Sequence, residues 1–148
     1  MDVEGLLPLQ PSIRICKGIY PEPASIALQD RRAIQENYLR LAELVLHSKG
    51  FAAFATHDPW LIDRCLGQVK KRGTGPESHE FQMLLGVGES LRPAIRESGS
   101  SIRLYCPYGV DWYAYSVRRL RENPRMAGYV LKSLFRSAFW RSEKLRSA

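Results

Sequence analysis

The sequence predicts an α/β protein in which helices cover a parallel sheet. Four short β-like runs recur along the chain, at 12–20, 50–58, 79–88 and 101–109. Each run is largely apolar and is followed by a segment with helical signals, an alternation that is typical of a parallel sheet with crossover helices. Four such units fit either an open sheet or half of an eight-unit barrel, and periodicity does not separate the two.

The first helical segment, at 29–50, has the clearest periodicity. Its apolar residues recur at steps of three and four, at Ile34, Tyr38, Leu41, Leu44 and Val45. This spacing predicts an amphipathic helix, and Gly50 marks its end.

The second and third helices are predicted from their boundary residues. Asp58 is placed to cap the second helix, Pro59 fits its first position, and Gly73 ends it. The third helix, at 89–99, is short and carries Pro93 near its start, where proline is tolerated.

The fourth unit contains the stretch YSVRRLREN at 115–123, and Pro124 separates it from a tail at 125–148. The tail has an apolar stripe with basic residues elsewhere, which predicts a helix that covers a core; a helix on an anionic membrane surface is the alternative. We therefore divide the chain into four βα units at 12–124 and a C-terminal helix with a basic tail at 125–148.

Composition limits the class of protein. The chain has 148 residues, about one domain, with a net charge of +7 and a pI near 9.6. This charge suits nucleic acid, an anionic membrane surface or an anionic ligand. The three cysteines are widely spaced without a CxxC pair, so neither a disulfide framework nor a zinc site is indicated.

The N-terminus lacks the pattern of a signal peptide, and no apolar run approaches the roughly 18 residues of a membrane helix. We therefore expect a cytoplasmic protein, either soluble or peripheral at the membrane.

Polar and aromatic residues gather where the predicted strands end. In either architecture functional residues lie at this carboxyl edge. Its residues are Lys17, Gly18, Tyr20, Thr56, His57, Asp58, Gln82, Met83, Tyr105, Pro107 and Tyr108. The opposite edge shows little beyond glycine and serine, so we expect the site at the carboxyl edge. Core packing is the alternative for one of the two tyrosines near the fourth strand.

Arg118 and Arg119 stand side by side, with Glu122 close behind. Two planar guanidinium groups are suited to holding one carboxylate or phosphate. The alternative is a solvated helix face with an ordinary Arg–Glu pair, which is common on protein surfaces.

Three further side chains are candidates for binding. His57 follows a strand and could bind a ligand or donate a proton, although a structural role is more common and a metal role has little support. Arg14 and Lys17 fall on opposite faces of one strand. We expect at least one of them to bind an anion, with an internal salt bridge as the equal alternative.

In these motifs the chain resembles the proline dehydrogenase family, and specifically the C-terminal half of its FAD-binding (βα)8 TIM barrel. The resemblance runs in order through RICKGIYPEP, FATHD, HEFQMLLGVG and LYCPYGVDWYAYSVRRLREN, and it covers almost all of 12–135. It implies that residues 1–148 form the last four βα units of such a barrel with a C-terminal helix.

The resemblance implies an FAD-dependent oxidoreductase acting on a CH–NH donor. It would oxidise L-proline, or a close relative such as hydroxyproline, to 1-pyrroline-5-carboxylate. The substrate's C5 would pass a hydride to flavin N5, and a quinone would receive the electrons. Arg118 and Arg119 match the arginines that hold the proline carboxylate, and Glu122 matches a glutamate lining the site. Tyr105 and Leu84 match residues of the apolar wall around the substrate.

The same resemblance assigns residues nearer the first two strands. Tyr20 falls at the tyrosine of the family's R-x-x-K-G-x-Y string and is expected to line the substrate site. Arg14 matches an arginine near flavin N5, while Thr56 and His57 match residues that contact FAD.

The chain also departs from the family pattern. Ile19 stands where many members have alanine, Leu85 replaces a more polar or aromatic residue, and only the last four strands have counterparts. Half a barrel leaves two unpaired strand edges. We therefore expect the chain to aggregate, to form a homo-oligomer that closes a barrel, or to pair with a separate N-terminal half.

Two other functions remain open from the sequence. The chain could be an inactive or partner-dependent remnant that keeps the pattern without binding FAD by itself. It could also be a basic module for nucleic acid or anionic membranes, but no recognised nucleic-acid motif is present and we expect no nucleic-acid partner.

Overall fold

The computed structural model describes residues 3–18, 22–106, 108–111, 113–114 and 117–118. Strands and helices alternate through this part of the chain. In order they are α1 Val3–Leu6, a 3₁₀ helix Leu7–Leu9, β1 Ser12–Cys16, α2 Arg31–His47, β2 Phe51–Ala55, α3 Pro59–Arg72, β3 His79–Leu84, a 3₁₀ helix Glu89–Leu91, α4 Arg92–Glu97 and β4 Ser101–Tyr105.

The strands form one sheet in the order β1-β2-β3-β4, and the β1–β2 and β2–β3 pairs are parallel. Each neighbouring pair of strands is connected through a helix on the chain between them. The predicted α/β class with a parallel sheet is therefore confirmed.

Each strand ends several residues earlier than the β-like run that predicted it. After β1, Gly18 has a φ of 84°, which takes the backbone out of the extended region. After β2, the Thr56 hydroxyl accepts the Asp58 N–H at 3.1 Å, so this polar stretch forms a turn. The residues beyond the strands form the loops at the carboxyl edge.

Local signals predicted the boundaries of α3 correctly, whereas α2 ends at His47, three residues before the predicted stop at Gly50. Asp58 caps α3 by accepting the Trp60 N–H at 3.1 Å, and Pro59 occupies the first turn. Gly73 ends α3 with a φ of 66°, a conformation that favours glycine. The third predicted helix is shorter than expected, because the 3₁₀ helix Glu89–Leu91 takes its first residues and α4 only the rest.

One face of the sheet forms the hydrophobic core with α2 and α3. Alternate strand residues share a face, and those on this face are Ile15, Ala52, Phe54, Phe81 and Met83. They pack against the apolar stripes of the two helices, at Tyr38, Ala42, Val45, Leu46, Leu61, Ile62, Cys65 and Val69. Met83 was predicted at the functional edge, but it is a core residue because its position in β3 directs it to the helix-covered face.

The opposite face of the sheet carries the charged strand residues, together with Cys16 and Phe51. It carries Arg14 from β1, Glu80 and Gln82 from β3, and Arg103 from β4. Between them β2 contributes Ala53 and Ala55. Below we call these six residues the polar face.

The amino edge of the sheet also holds a buried polar group. His79 is 1% exposed, and its ring nitrogens lie 2.9 Å from the Ser100 hydroxyl and 3.1 Å from the Ser78 hydroxyl. Burial lowers the pKa of His79, so the imidazole is neutral at pH 7. The prediction of little beyond glycine and serine at this edge missed His79, which has a structural role.

The described residues divide into two units. The first contains Met1–Met83 and Ser90–Leu104, and with it most of the sheet and the core. The second contains Leu84–Glu89 and the described residues from Tyr105 onward. The predicted tail at 125–148 and most of the fourth predicted helix lie outside the described residues.

Candidate functional site

The loop after β2 is tied to its neighbours through Asp58. The Lys17 Nζ donates to Asp58 Oδ2 at 2.8 Å, and the Gln35 amide donates to the same oxygen at 2.8 Å. The other carboxylate oxygen caps α3 through Trp60. One side chain thus joins the end of β1, helix α2 and the start of α3. Of the two roles expected for Lys17, binding an anion or forming an internal salt bridge, the structure shows the salt bridge.

Asp58 is ionised in this setting. Burial would raise the pKa of its carboxyl, but hydrogen bonds from Lys17 and Gln35, with the Lys17 charge, lower it below the ordinary value. The side chain is only 6% exposed, so the pair with Lys17 is shielded from solvent on the carboxylate side. The loop is therefore held by a charged hydrogen bond as well as by the cap.

His57 and Thr56 lie in this loop at the carboxyl end of β2. Burial, with the nearby positive charges of Arg92 and Lys17, lowers the pKa of His57. The imidazole is therefore neutral at pH 7 and offers one donor and one acceptor nitrogen. Thr56 is buried, and its hydroxyl already accepts the Asp58 N–H.

Arg14 occupies the polar face. In the strand register Arg14 pairs with Ala53, and Ala53 pairs with Glu80. The three residues form one row across β1, β2 and β3, with only a methyl group between the cation and the acid. The Arg14 side chain is exposed, so its charge is accessible to a ligand.

Glu80 anchors a hydrogen-bonded cluster on the polar face. Arg103 Nε donates to Glu80 Oε1 at 2.7 Å, and Arg103 Nη2 donates to Oε2 at 2.9 Å. The Gln82 amide also donates to Oε1, at 2.7 Å. The hydrogen bond from Arg103 is the main reason that the pKa of Glu80 is lowered. This two-pronged geometry is the strong form of an Arg–carboxylate pair.

Sequence reasoning missed Glu80 and Arg103. Glu80 lies in an apolar run two residues before Gln82, so a period of two along HEFQML placed both on one face. Glu80 is 7% exposed, and a buried acid needs a partner. Its position inside an apolar run was the signal of this in the sequence. The identity of the partner depended on the pairing of β3 with β4.

The second unit holds the described residues of the expected substrate wall. The Leu85 N–H donates to the Tyr105 carbonyl at 2.9 Å, which joins the ends of β3 and β4. Leu84 is half-buried, Tyr105 is 37% exposed, and Arg118 is exposed on helical backbone. Tyr108 is almost fully exposed, so core packing does not explain it.

Three predicted site residues, Tyr20, Arg119 and Glu122, lie outside the described residues. In the first unit the structure places Arg14 in the middle of β1 and Thr56 and His57 just after the neighbouring strand β2. In the second unit it places Leu84 and Tyr105 at the ends of β3 and β4.

A cavity of about 360 Å³ lies elsewhere, between the outer turns of α2 and α3. Its lining residues are Glu43, Leu46, His47, Gln68, Lys71 and Arg72. Basic residues in the last turn of a helix interact favourably with its dipole, which accounts for Lys71 and Arg72 without a ligand. The cavity is separate from the carboxyl edge of the sheet.

No group of three acidic, histidine or cysteine side chains in the described segments could hold a metal ion. Across those same segments, no helix has both the length and the apolar character needed to cross a membrane.

Comparison with known proteins gives consistent matches. The sequence profile of the proline dehydrogenase family matches residues 23–131. A proline dehydrogenase of Deinococcus radiodurans is 39% identical over 135 residues, which is 91% of this chain and 44% of that protein. Proline dehydrogenase 2 of Bacillus subtilis is 34% identical over 133 residues, which is 90% of this chain and 44% of that protein. The chain thus spans less than half the length of these relatives.

Solved structures of proline utilization A are similar to this fold. The protein from Bdellovibrio bacteriovorus, inactivated by N-propargylglycine, superposes with a TM-score of 0.68 at 29% identity, over 82% of this chain and 15% of that one. A bifunctional proline utilization A gives a TM-score of 0.56 at 31% identity, over 66% of this chain and 10% of that one.

Proposed function

Because this chain belongs to the proline dehydrogenase family, we propose that it takes part in the oxidation of L-proline to 1-pyrroline-5-carboxylate. Bound FAD would supply the hydride-accepting chemistry for C5 of proline, and a quinone would receive the electrons. The chain's own residues bind and orient the two reactants, since the redox chemistry belongs to the cofactor.

The observation that carries this proposal is the placement of the residues assigned to the cofactor on two neighbouring parallel strands and the loop that follows the second. Arg14 lies in β1, Thr56 and His57 follow the neighbouring strand β2, and the Lys17–Asp58 salt bridge of 2.8 Å joins the two strand ends. In parallel α/β sheets, ligands bind at the carboxyl ends of the strands. The arrangement supports a cofactor site at this edge.

The residues present fit a flavin. The exposed guanidinium of Arg14 would stabilise the negative charge of a reduced flavin. A reduced flavin ring carries negative charge, so this cation matches its chemistry.

Substrate binding is proposed for residues of the second unit. Arg118 and Arg119 would hold the proline carboxylate through charge-assisted hydrogen bonds, with Glu122 orienting one arginine. Tyr105 and Leu84 would supply apolar contacts that orient the substrate ring. We also assign Tyr20 to substrate binding by its place in the R-x-x-K-G-x-Y string.

The four βα units would form half of an eight-stranded barrel. Within the described sheet β1 and β4 are the outer strands, each with one edge available for pairing. Further strands from an N-terminal half or from a second copy of this chain would close the barrel.

We also propose a cytoplasmic location, with peripheral contact at a membrane where a quinone would be reached. A vesicle flotation assay checks the second part. The basic chain should bind anionic vesicles and dissociate as the salt concentration rises.

The direct test is to purify the 148-residue chain, add FAD, and measure bound flavin and proline-dependent dye reduction. Arg118→Lys should raise the KM for proline by about tenfold or more, because lysine cannot reproduce the guanidinium fork. Arg31→Lys, at the exposed start of α2, is the matched control and should leave the KM unchanged. An unchanged KM in Arg118→Lys would remove this residue from the site.

A second candidate function is a partner-dependent or inactive remnant of such an enzyme. It is favoured by the outer strands β1 and β4 of the described sheet, each of which has one edge available for pairing. The absence of both bound flavin and proline-dependent dye reduction would support this alternative, whereas turnover by the isolated chain would exclude it.

A further inference from the structure

A row of side-chain contacts runs from β3 to the end of α4 at the amino edge of the sheet. The Ser78 hydroxyl donates to the carbonyl three residues earlier at 2.8 Å and lies 3.1 Å from His79 Nδ1. His79 Nε2 lies 2.9 Å from the Ser100 hydroxyl, which lies 2.9 Å from that of Ser98. Ser98 in turn donates to the carbonyl three residues earlier at 2.6 Å. Below we call these four residues, with their five contacts, the Ser–His network.

The Ser–His network has one hydrogen too few when His79 is neutral. Each of the three serine hydroxyls carries one hydrogen, and a neutral imidazole carries one N–H. Four hydrogens cannot supply five contacts, so every assignment leaves one contact without a hydrogen. The contact given up most easily is Ser98–Ser100, because Ser98 is exposed and water can replace its partner. In the neutral state the network is therefore open at Ser98.

Protonation of His79 supplies the missing hydrogen. Both ring nitrogens of an imidazolium are donors. Nδ1–H then donates to Ser78 and Nε2–H donates to Ser100, which leaves the Ser100 hydrogen for the Ser98 oxygen. The hydrogen bonds then run outward from the ring in both directions and end at the two backbone carbonyls. Hydrogen bonds from a cation are the stronger kind, and bonds in such a row polarise one another.

The surroundings of His79 determine how readily it takes up this proton. Its ring lies near Phe54 of β2 and Phe81 of β3, with centroids 6.1 and 6.3 Å away, and the turn after α4 presents hydroxyl groups to it. Burial lowers the pKa of His79 below its ordinary value of 6.5, while the Gly75 carbonyl and the charge of Glu77 raise it. Within the described residues, Glu77 is the charged side chain that acts on this ring. The proton therefore binds in acid, below pH 6.5.

We propose that protonation of His79 closes the Ser–His network, so that β3 is joined to the end of α4 in acid and not at neutral pH. Ser98 directly follows α4, Ser100 directly precedes β4, and His79 is the first residue of β3. The closed network thus links the turn between α4 and β4 to the neighbouring strand. A buried histidine without such acceptors would leave its site on protonation and open the fold around it.

The test is an NMR pH titration of the ¹⁵N-labelled 148-residue chain and of Ser98→Ala. In the wild type, protonated His79 should show two slowly exchanging ring N–H signals. In Ser98→Ala three contacts remain for three hydrogens, so the neutral network is already complete and protonation adds no bond. The proton affinity of His79 should therefore fall by about fivefold, the loss expected for one hydrogen bond. Ser98→Thr keeps the hydroxyl and should restore the wild-type titration.

Ser48→Ala is the matched control. Ser48 directly follows α2 as Ser98 follows α4, and its hydroxyl likewise donates to the carbonyl three residues earlier, at 2.7 Å. Both serines lie outside the hydrophobic core, so both alanine variants should fold. Ser48→Ala removes an equivalent hydroxyl from another helix end and should leave the titration of His79 unchanged.

Stability gives a second measurement. Because the folded pKa of His79 lies below 6.5, the unfolded chain binds the proton more tightly, and stability falls as the pH drops from 6.5 through the folded pKa. The closed network limits this loss. The urea midpoint of Ser98→Ala should therefore fall further below that of the wild type as the pH is lowered, whereas Ser48→Ala should keep a constant difference.

Two results would overturn the proposal. One is a His79 titration in Ser98→Ala that matches the wild type, because Ser98 would then have no part in the uptake of the proton. The other is a wild-type His79 ring whose N–H signals exchange rapidly once it is protonated, because the ring would then have left the network.

Discussion

The two faces of the sheet differ in what they contribute to the protein. The face toward α2 and α3 carries apolar residues such as Ile15, Phe54 and Phe81, all almost fully buried. The polar face carries two arginines, an acid and an amide. Apolar burial stabilises the fold, whereas a buried ion pair adds little net stability because its charges must leave water. The difference supports our proposal that the polar face binds a ligand.

The largest expected change in stability comes from two phenylalanines of β2, one on each face of the sheet. Phe54 lies in the core at 0% exposure, while Phe51 lies on the other face and is half-buried. Phe54→Ala should lower the free energy of unfolding by about 3–5 kcal/mol. Phe51→Ala should cost clearly less in the same urea titration. Equal losses would mean that the two faces contribute alike to stability.

Removal of the acid on the polar face should have an intermediate effect. Glu80→Gln leaves Arg103 without its carboxylate, and we expect a loss of about 1–2 kcal/mol at pH 7. Because the Arg103 side chain is 59% exposed, water solvates its guanidinium in the variant. The loss of stability is therefore smaller than for a fully buried ion pair. Glu43→Gln, on the exposed side of α2, is the control and should be nearly neutral.

The pH dependence sharpens the prediction for Glu80. Its folded pKa lies below the ordinary value of 4.5, so the pair stabilises the fold above that pH. This stability should disappear as the pH falls through the folded pKa. The difference between the wild type and Glu80→Gln should therefore shrink in acid. A difference that grows in acid would contradict the ion-pair account.

The Lys17–Asp58 pair should have the smallest effect. Asp58→Asn keeps a good cap for α3 but removes the charge that Lys17 contacts, and it should cost about 0.5–1 kcal/mol. Asp30→Asn is the control, because Asp30 also caps a helix, through the Ala33 N–H at 2.8 Å. It should cost only a few tenths of a kcal/mol by thermal denaturation. Equal costs would leave no role for Lys17 in stabilising the loop.

Local chemistry explains which features could be predicted from the sequence. The cap at Asp58, the start at Pro59 and the stop at Gly73 depend on neighbours within one turn, and all three are confirmed. The alternation of strands and helices followed from periodicity in the same way. Strand ends were placed too far along because pairing, and not local composition, determines where a strand stops.

Contacts between distant residues could not be predicted in this way. Lys17 and Asp58 are 41 positions apart, and Glu80 and Arg103 are 23 apart. Each pair exists because the sheet order places two particular strands, or a strand and a loop, side by side. The sequence supplied the charges, but their pairing required the strand order.

The most direct test of the central claim is the thermal unfolding of the chain with and without FAD. If the polar face binds the cofactor, FAD at about 100 times its Kd should stabilise the wild type by about 2.7 kcal/mol and raise its Tm. The Arg14→Met variant should show a much smaller rise at the same FAD concentration. An unchanged wild-type Tm, or an equal rise in both proteins, would contradict the claim that the polar face is a cofactor surface.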